Sequence, residues 1–198
     1  RHRELTTRIV SGLVLGPTVL GVIWVGGPLF FLLMLAVALL GAREWVRLVF
    51  APAIPEEGDP SLELSWGFLI AALLVAVAVG PLAGLLVLFA LTVLLFLMLG
   101  ALGEARRRMI VLGIPYMGLA VLSMVWLRGL EGEGRALTFW LVLVVWATDI
   151  SAYAAGRTIG GPKLAPRVSP NKTWAGLVGA MVGAGAAGLG FAIAFGVD

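Results

Sequence analysis

The stretch Leu64–Leu102, LSWGFLIAALLVAVAVGPLAGLLVLFALTVLLFLMLGAL, contains no charged residue. A helix needs about 20 residues to cross a hydrocarbon core ~30 Å thick, so this run is long enough for two crossings. Gly80-Pro81 lies inside it. Proline lacks an N–H and clashes with the preceding turn, and glycine tolerates a reversal of the chain. The reading is a pair of spans joined by a tight turn, the first of them rather short.

The same reading extends outward. Upstream, Ile9–Gly27 is uncharged with Pro17 inside it, and Gly26-Gly27-Pro28 breaks it from a second run, Leu29–Ala42. That run continues as an amphipathic turn through Arg43, Glu44, Trp45 and Arg47 to Phe50. Downstream come Met109–Leu127, Ala136–Gly156 and Thr173–Val197. The predicted fold class is all-α, a polytopic integral membrane helical bundle of about seven transmembrane helices. Its parts are an N-terminal transmembrane hairpin over 1–50, an acidic cytoplasmic loop over 51–65, and central helices over 66–135. Two further helices over 136–198 flank a basic loop at 157–172.

Composition agrees. Of the 198 residues 61% are hydrophobic and 13% charged, with a mean hydropathy of +1.06. Soluble domains average about 45–50% and about 25%. The spans leave no room for a soluble catalytic domain, so function must sit in the membrane or its short loops. Cysteine is absent and His2 is the single histidine, which excludes disulfides, thiolate chemistry and the usual zinc sites.

The net charge of +3 follows from loop topology rather than from nucleic acid, which is not an expected partner. With the N-terminus inside, the cytoplasmic segments hold Arg1, Arg3, Arg8, Arg43, Arg47, Arg106, Arg107, Arg108, Arg157, Lys163, Arg167 and Lys172. The outer loops hold Arg128 and Arg135. Twelve against two places the N-terminus and the loop 157–172 in the cytoplasm.

Glycine makes up 27 of the 198 residues, about twice the usual ~7%. The last span holds Gly176, Gly179, Gly183, Gly185, Gly188 and Gly190 among them, and Gly179 and Gly183 form a GxxxG. That motif allows close helix approach in lipid. It serves either packing within the chain or the seam of a homodimer.

Polar residues crowd into Thr148–Trp174, TDISAYAAGRTIGGPKLAPRVSPNKTW. Asp149 is the one acidic or basic residue inside any span. A carboxylate at membrane depth costs about 2.5–3.5 kcal/mol on insertion scales, so it must face protein or water. Tyr153 and Arg157 follow at four and eight residues, which puts all three on one helical face. Two readings stay open: an Asp149–Arg157 ion pair, or a ligand or metal site. The loop from Arg157 to Lys172 carries four cations, three prolines and no acid. Ser169-Pro170 reads as a helix N-cap followed by proline at the first helical position. Lys172 then falls in the first turn, against the helix dipole, unless an anion such as phosphate is held there.

This stretch resembles the phosphatidate cytidylyltransferases, the integral membrane CDP-diacylglycerol synthases. The matching residues are Trp146-Ala-Thr-Asp149, Ala152-Tyr153, Gly156-Arg157, Gly161-Pro-Lys163-Leu-Ala-Pro-Arg167 and Ser169-Pro-Asn171-Lys172-Thr173-Trp174 with Gly176. Arg8-Ile-Val-Ser-Gly-Leu-Val-Leu and Ala42-Arg-Glu44-Trp45 also look like the family's N-terminal hairpin. Where many members carry an acid after Lys-Thr-Trp, this chain has Ala175. The family's C-terminal signature, with its metal-holding carboxylates, has no counterpart here. The expectation is therefore the N-terminal two-thirds of a longer enzyme, inactive by itself.

The resemblance implies condensation of CTP with phosphatidate to CDP-diacylglycerol and pyrophosphate, in the inner (cytoplasmic) membrane and among membrane lipid. Asp149 and Lys172 would be catalytic. Tyr153, Arg157, Lys163, Arg167, Ser169, Asn171 and Thr173 would bind substrate. Mg²⁺ is the implied cofactor, with Asp149 as one ligand. Other readings remain: a CTP-dependent lipid kinase, a CDP-archaeol-type synthase, or, in another class, a transporter of a phosphorylated solute.

Overall fold

The structure, a computed structural model, describes residues 2–50, 60–100 and 104–195. Its helices are α1 His2–Val25, α2 Gly27–Phe50, α3 Pro60–Ala78, α4 Pro81–Met98, α5 Glu104–Gly129, α6 Gly134–Thr158 and α7 Trp174–Phe195. Between α6 and α7 lies a two-stranded antiparallel ribbon, β1 Lys163–Ala165 and β2 Ser169–Thr173. Helices thus form wherever the sequence shows uncharged runs. Among the described residues five carry a window of spanning length and hydropathy: α2, α4, α5, α6 and α7. The apolar parts of α1 and α3, Gly12–Val25 and Glu63–Ala78, are shorter. Apart from that ribbon the chain is a helical, polytopic membrane protein with seven helices among the described residues, five of them of full spanning length.

The breaks fall where backbone chemistry demands them. Gly26 has φ +68° and Gly80 φ +133°, a region that side chains with a Cβ rarely enter. Each reverses the chain between helices, and Pro81 occupies the first turn of α4, where its missing N–H costs nothing.

The chain divides into two compact units, Arg1–Glu131 and Gly132–Asp198. The buried apolar side chains described, from Ile23 to Leu122, all belong to the first. There α2 packs on α5 through Trp45, whose Nε1–H donates to the Met109 carbonyl at 2.7 Å. Its ring lies against Gly113, and Tyr116 stands 5.7 Å away, centroid to centroid. At the start of α5 the Arg107 guanidinium sits 4.1 Å from the Phe96 ring centre, and Arg108 pairs with Glu104. At the other end of α5, Arg128 donates from Nε to the Ile23 carbonyl at 2.8 Å and from Nη2 to Trp24 O at 3.4 Å. A cation from a distant helix thereby caps the exposed carbonyls of α1. This contact explains one of the two cations outside the expected cytoplasmic set.

Candidate functional site

The second unit is a helical hairpin closed by a polar ribbon, and glycine sets how closely its helices meet. A Cβ on Gly179 would lie 2.5 Å from Ala155 Cβ and 2.8 Å from the Ser151 carbonyl. One on Gly183 would strike the Ser151 side chain. Gly156 and Gly176 face each other, the Cβ position of each lying 3.6 Å from the Cα of the other. The GxxxG of α7 is thus spent on α6, which is the packing-within-the-chain reading of that motif.

The ribbon corrects the expected start of α7. Ser169 and Pro170 do not cap or open a helix; they pair in β2, with Ala165 opposite Ser169 and Lys163 opposite Thr173. The register shifts between these pairs, leaving the extra residues on β2 around Pro170, which cannot donate to a ladder. Val168 N–H closes the turn onto the Ala165 carbonyl at 3.1 Å, and Trp174 N–H ties the helix start to Pro162 O at 3.1 Å. The cap is Thr173. Its Oγ1 accepts the Gly176 N–H at 3.1 Å, three residues on, the geometry of a helix N-cap. Lys172 therefore lies in a strand before the helix, and the dipole conflict inferred for it in a first helical turn does not exist.

The expected site residues fall into two groups. Lys163, Arg167, Asn171 and Lys172 are exposed on the ribbon and its turn, Ser169 is half-buried, and Thr173 is only 6% exposed. With Arg157 at the end of α6 they form one cationic end with no acid between Asp149 and Asp198. Asp149, Tyr153 and Arg157 line an exposed stripe on α6, on the face turned away from the α7 seam. Within it Arg157 Nη1 donates to the Tyr153 hydroxyl at 2.8 Å, with its guanidinium 5.9 Å from the ring centre. Arg157 thus engages Tyr153, and among the described residues Asp149 forms no ion pair. Sequence reading missed the ribbon itself and the small-residue crossing at Gly156 and Gly176. The repeated glycines and the -GGPK- turn were its only traces.

Among the described residues no three His, Cys, Asp or Glu side chains come together. A caged divalent ion is not what these residues offer. The single carboxylate of Asp149 fits an ion that arrives on a polyphosphate, because Mg²⁺ is commonly held by one or two carboxylates plus substrate phosphates.

The second unit is thus a pair of helices of membrane-spanning length joined by a cationic ribbon that also bears hydroxyl and amide side chains. A family model described as the cytidylyltransferase family matches residues 6–197. The chain belongs to that family. A phosphatidate cytidylyltransferase of Brucella abortus biovar 1 is 37% identical over 186 residues, covering 94% of this chain and 67% of that protein. One from Pseudomonas aeruginosa is 36% identical, over 89% of this chain and 66% of its own length. One from Bacillus subtilis is 27% identical over 90% and 68%. The chain thus spans about two thirds of the length of these relatives. No solved structure matches it.

Proposed function

We propose that the chain takes part in transferring the cytidylyl group of CTP to phosphatidate, giving CDP-diacylglycerol and pyrophosphate. One observation carries this reading: the acid-free ribbon holding Lys163, Arg167 and Lys172 at the end of a membrane-spanning hairpin, in a chain of the cytidylyltransferase family. A phosphate oxygen of the lipid attacks the α-phosphorus of CTP, and the bond to the β-phosphate breaks, releasing pyrophosphate. Charge on the phosphoryl oxygens is what the protein must neutralise, and fixed cations do this without reorganisation.

Lys163, Arg167 and Lys172 bind phosphate oxygens, and Asn171 and Ser169 donate hydrogen bonds beside them. Thr173 fixes the junction of ribbon and helix through its cap. Tyr153 holds Arg157 at the mouth of α6. Asp149 would take one position on a magnesium ion carried by the triphosphate, an ion that supplies further charge neutralisation. The twelve-to-two distribution of Lys and Arg supports placing this ribbon on the cytoplasmic side of the inner membrane.

The position of the label decides the reaction. In the intact enzyme, CTP labelled at the α-phosphorus should mark the lipid product, and CTP labelled at the γ-phosphorus should not. Label from the γ position in the lipid would make the protein a kinase and end this reading. For orientation, Val168 is 88% exposed at the ribbon turn, and the chain has no native cysteine. Val168→Cys should react with an impermeant thiol reagent in inverted vesicles and stay unlabelled in intact cells.

A further inference from the structure

The first unit contains a cavity of about 890 Å³, lined by residues that include Phe30, Phe31, Val77, Leu122, Trp126 and Arg128. It lies where α1 and α3 end, α2 and α4 begin, and α5 closes. Its wall is aromatic and aliphatic apart from one cation, Arg128. From Arg108 to Arg128, α5 advances roughly 30 Å at 1.5 Å per residue, about the thickness of the hydrocarbon core. Arg128 therefore sits at the membrane boundary opposite the Arg106–Arg108 triplet.

Arg128 is not used up by its role as a cap. A guanidinium carries five N–H donors. Two point to the Ile23 and Trp24 carbonyls, and the other three have no partner among the described residues. Gly26 lies directly against the guanidinium, so the group is fixed in place beside the cavity. A half-buried, pre-oriented guanidinium with spare donors suits a phosphate, which it can meet with two parallel hydrogen bonds. The apolar wall below it suits hydrocarbon.

We propose that this cleft holds an acyl chain of a membrane glycerophospholipid whose phosphate is bound by Arg128. The volume is within the 300–1,000 Å³ or so typical of small-molecule pockets. The site is built from residues of the first unit alone and uses none of those assigned to the reaction.

The test is native mass spectrometry of the intact protein, delipidated and then offered phosphatidylglycerol or the phosphate-free diacylglycerol with the same chains. The expected result is one retained phosphatidylglycerol per chain, with diacylglycerol retained at least 10-fold less. Arg128→Gln should lower phosphatidylglycerol retention by a similar factor. Because that variant also loses the α1 cap, Val125→Trp serves as the second arm. It fills the cleft, leaves Arg128 on its carbonyls, and should abolish retention. Equal retention of diacylglycerol, or wild-type retention by Val125→Trp, would overturn the proposal. Absence of any bound lipid on the wild-type protein would overturn it too, leaving the cleft to a side chain of a partner helix.

Discussion

The two units bring their helices together with a different balance of large and small side chains. In the first, large side chains predominate: Trp45 lies on Gly113, Leu88 reaches Gly118, and Ile23, Leu69, Leu73 and Leu95 are fully buried, while Gly84 against Ala76 gives α3 and α4 one small-residue crossing. In the second, among the described residues, the buried positions are Gly134, Thr138, Thr173 and Gly176, and the helices touch through glycine, alanine and serine. Lipid gives helices no hydrophobic reason to associate, so either large or small surfaces succeed if they fit closely. Large side chains leave gaps where they splay, and the first unit has its cavity at the end where its helices turn. A small-residue seam leaves little free volume and holds the joining segment tightly. The residues proposed to bind phosphate sit on that segment.

The largest effect should come from the ribbon. In the intact enzyme Lys172→Ala should lower CDP-diacylglycerol formation by roughly 10²- to 10³-fold, the usual scale for removing one preorganised charge partner. Thermal stability should stay unchanged, because Lys172 is exposed and outside the helix. Wild-type turnover would detach the cationic ribbon from catalysis, and a large loss of stability would make Lys172 structural.

Glycine substitutions in the two units probe the seam directly. Gly179→Leu should destabilise the fold by about 1–3 kcal/mol through overpacking. Gly185→Leu, which meets nothing within 4 Å, should be close to neutral. In the first unit Gly113→Ala forces a methyl into the Trp45 ring and should cost a similar amount, with partial rescue by Trp45→Leu. Unfolding followed by circular dichroism in detergent checks all four. If Gly179 and Gly185 behaved alike, the contrast between the two kinds of packing would fail.

The smallest effect is at the cap. Thr173→Val keeps the shape and removes the acceptor for Gly176 N–H, and should cost about 1 kcal/mol. Thr173→Ser should retain it. Equal stability of Val and Ser variants would show that the ribbon alone starts α7.

Much of this was legible in the sequence, and the reasons differ by region. Helix breaks at Gly26 and Gly80 were readable because only backbone chemistry decides them. The stripe of Asp149, Tyr153 and Arg157 was readable because helical periodicity alone puts those side chains on one face. The start of α7 was misread because Ser169-Pro170 carries a valid local signal that a nonlocal one overrules. Pairing with Lys163–Ala165 takes the segment into a strand. The true cap, Thr173, was hidden because its partner three residues on is Gly176 rather than Glu or Gln. The Arg157–Tyr153 bond was equally unreadable, since charge arithmetic favours the carboxylate. Spacing cannot say which of two partners, each one or two turns away, a flexible guanidinium will choose.

The capping of α1 by Arg128 joins residues 105 positions apart, and that separation has a consequence in time. Chains grow at about 5–20 residues per second, so Arg128 is made roughly 5–20 s after Ile23. Through that interval α1 and α2 are already available for insertion, while the carbonyls at the end of α1 have no protein donor from α5. Water or lipid headgroups must satisfy them in the meantime. The cap on α1 can therefore form only after α5 has been made.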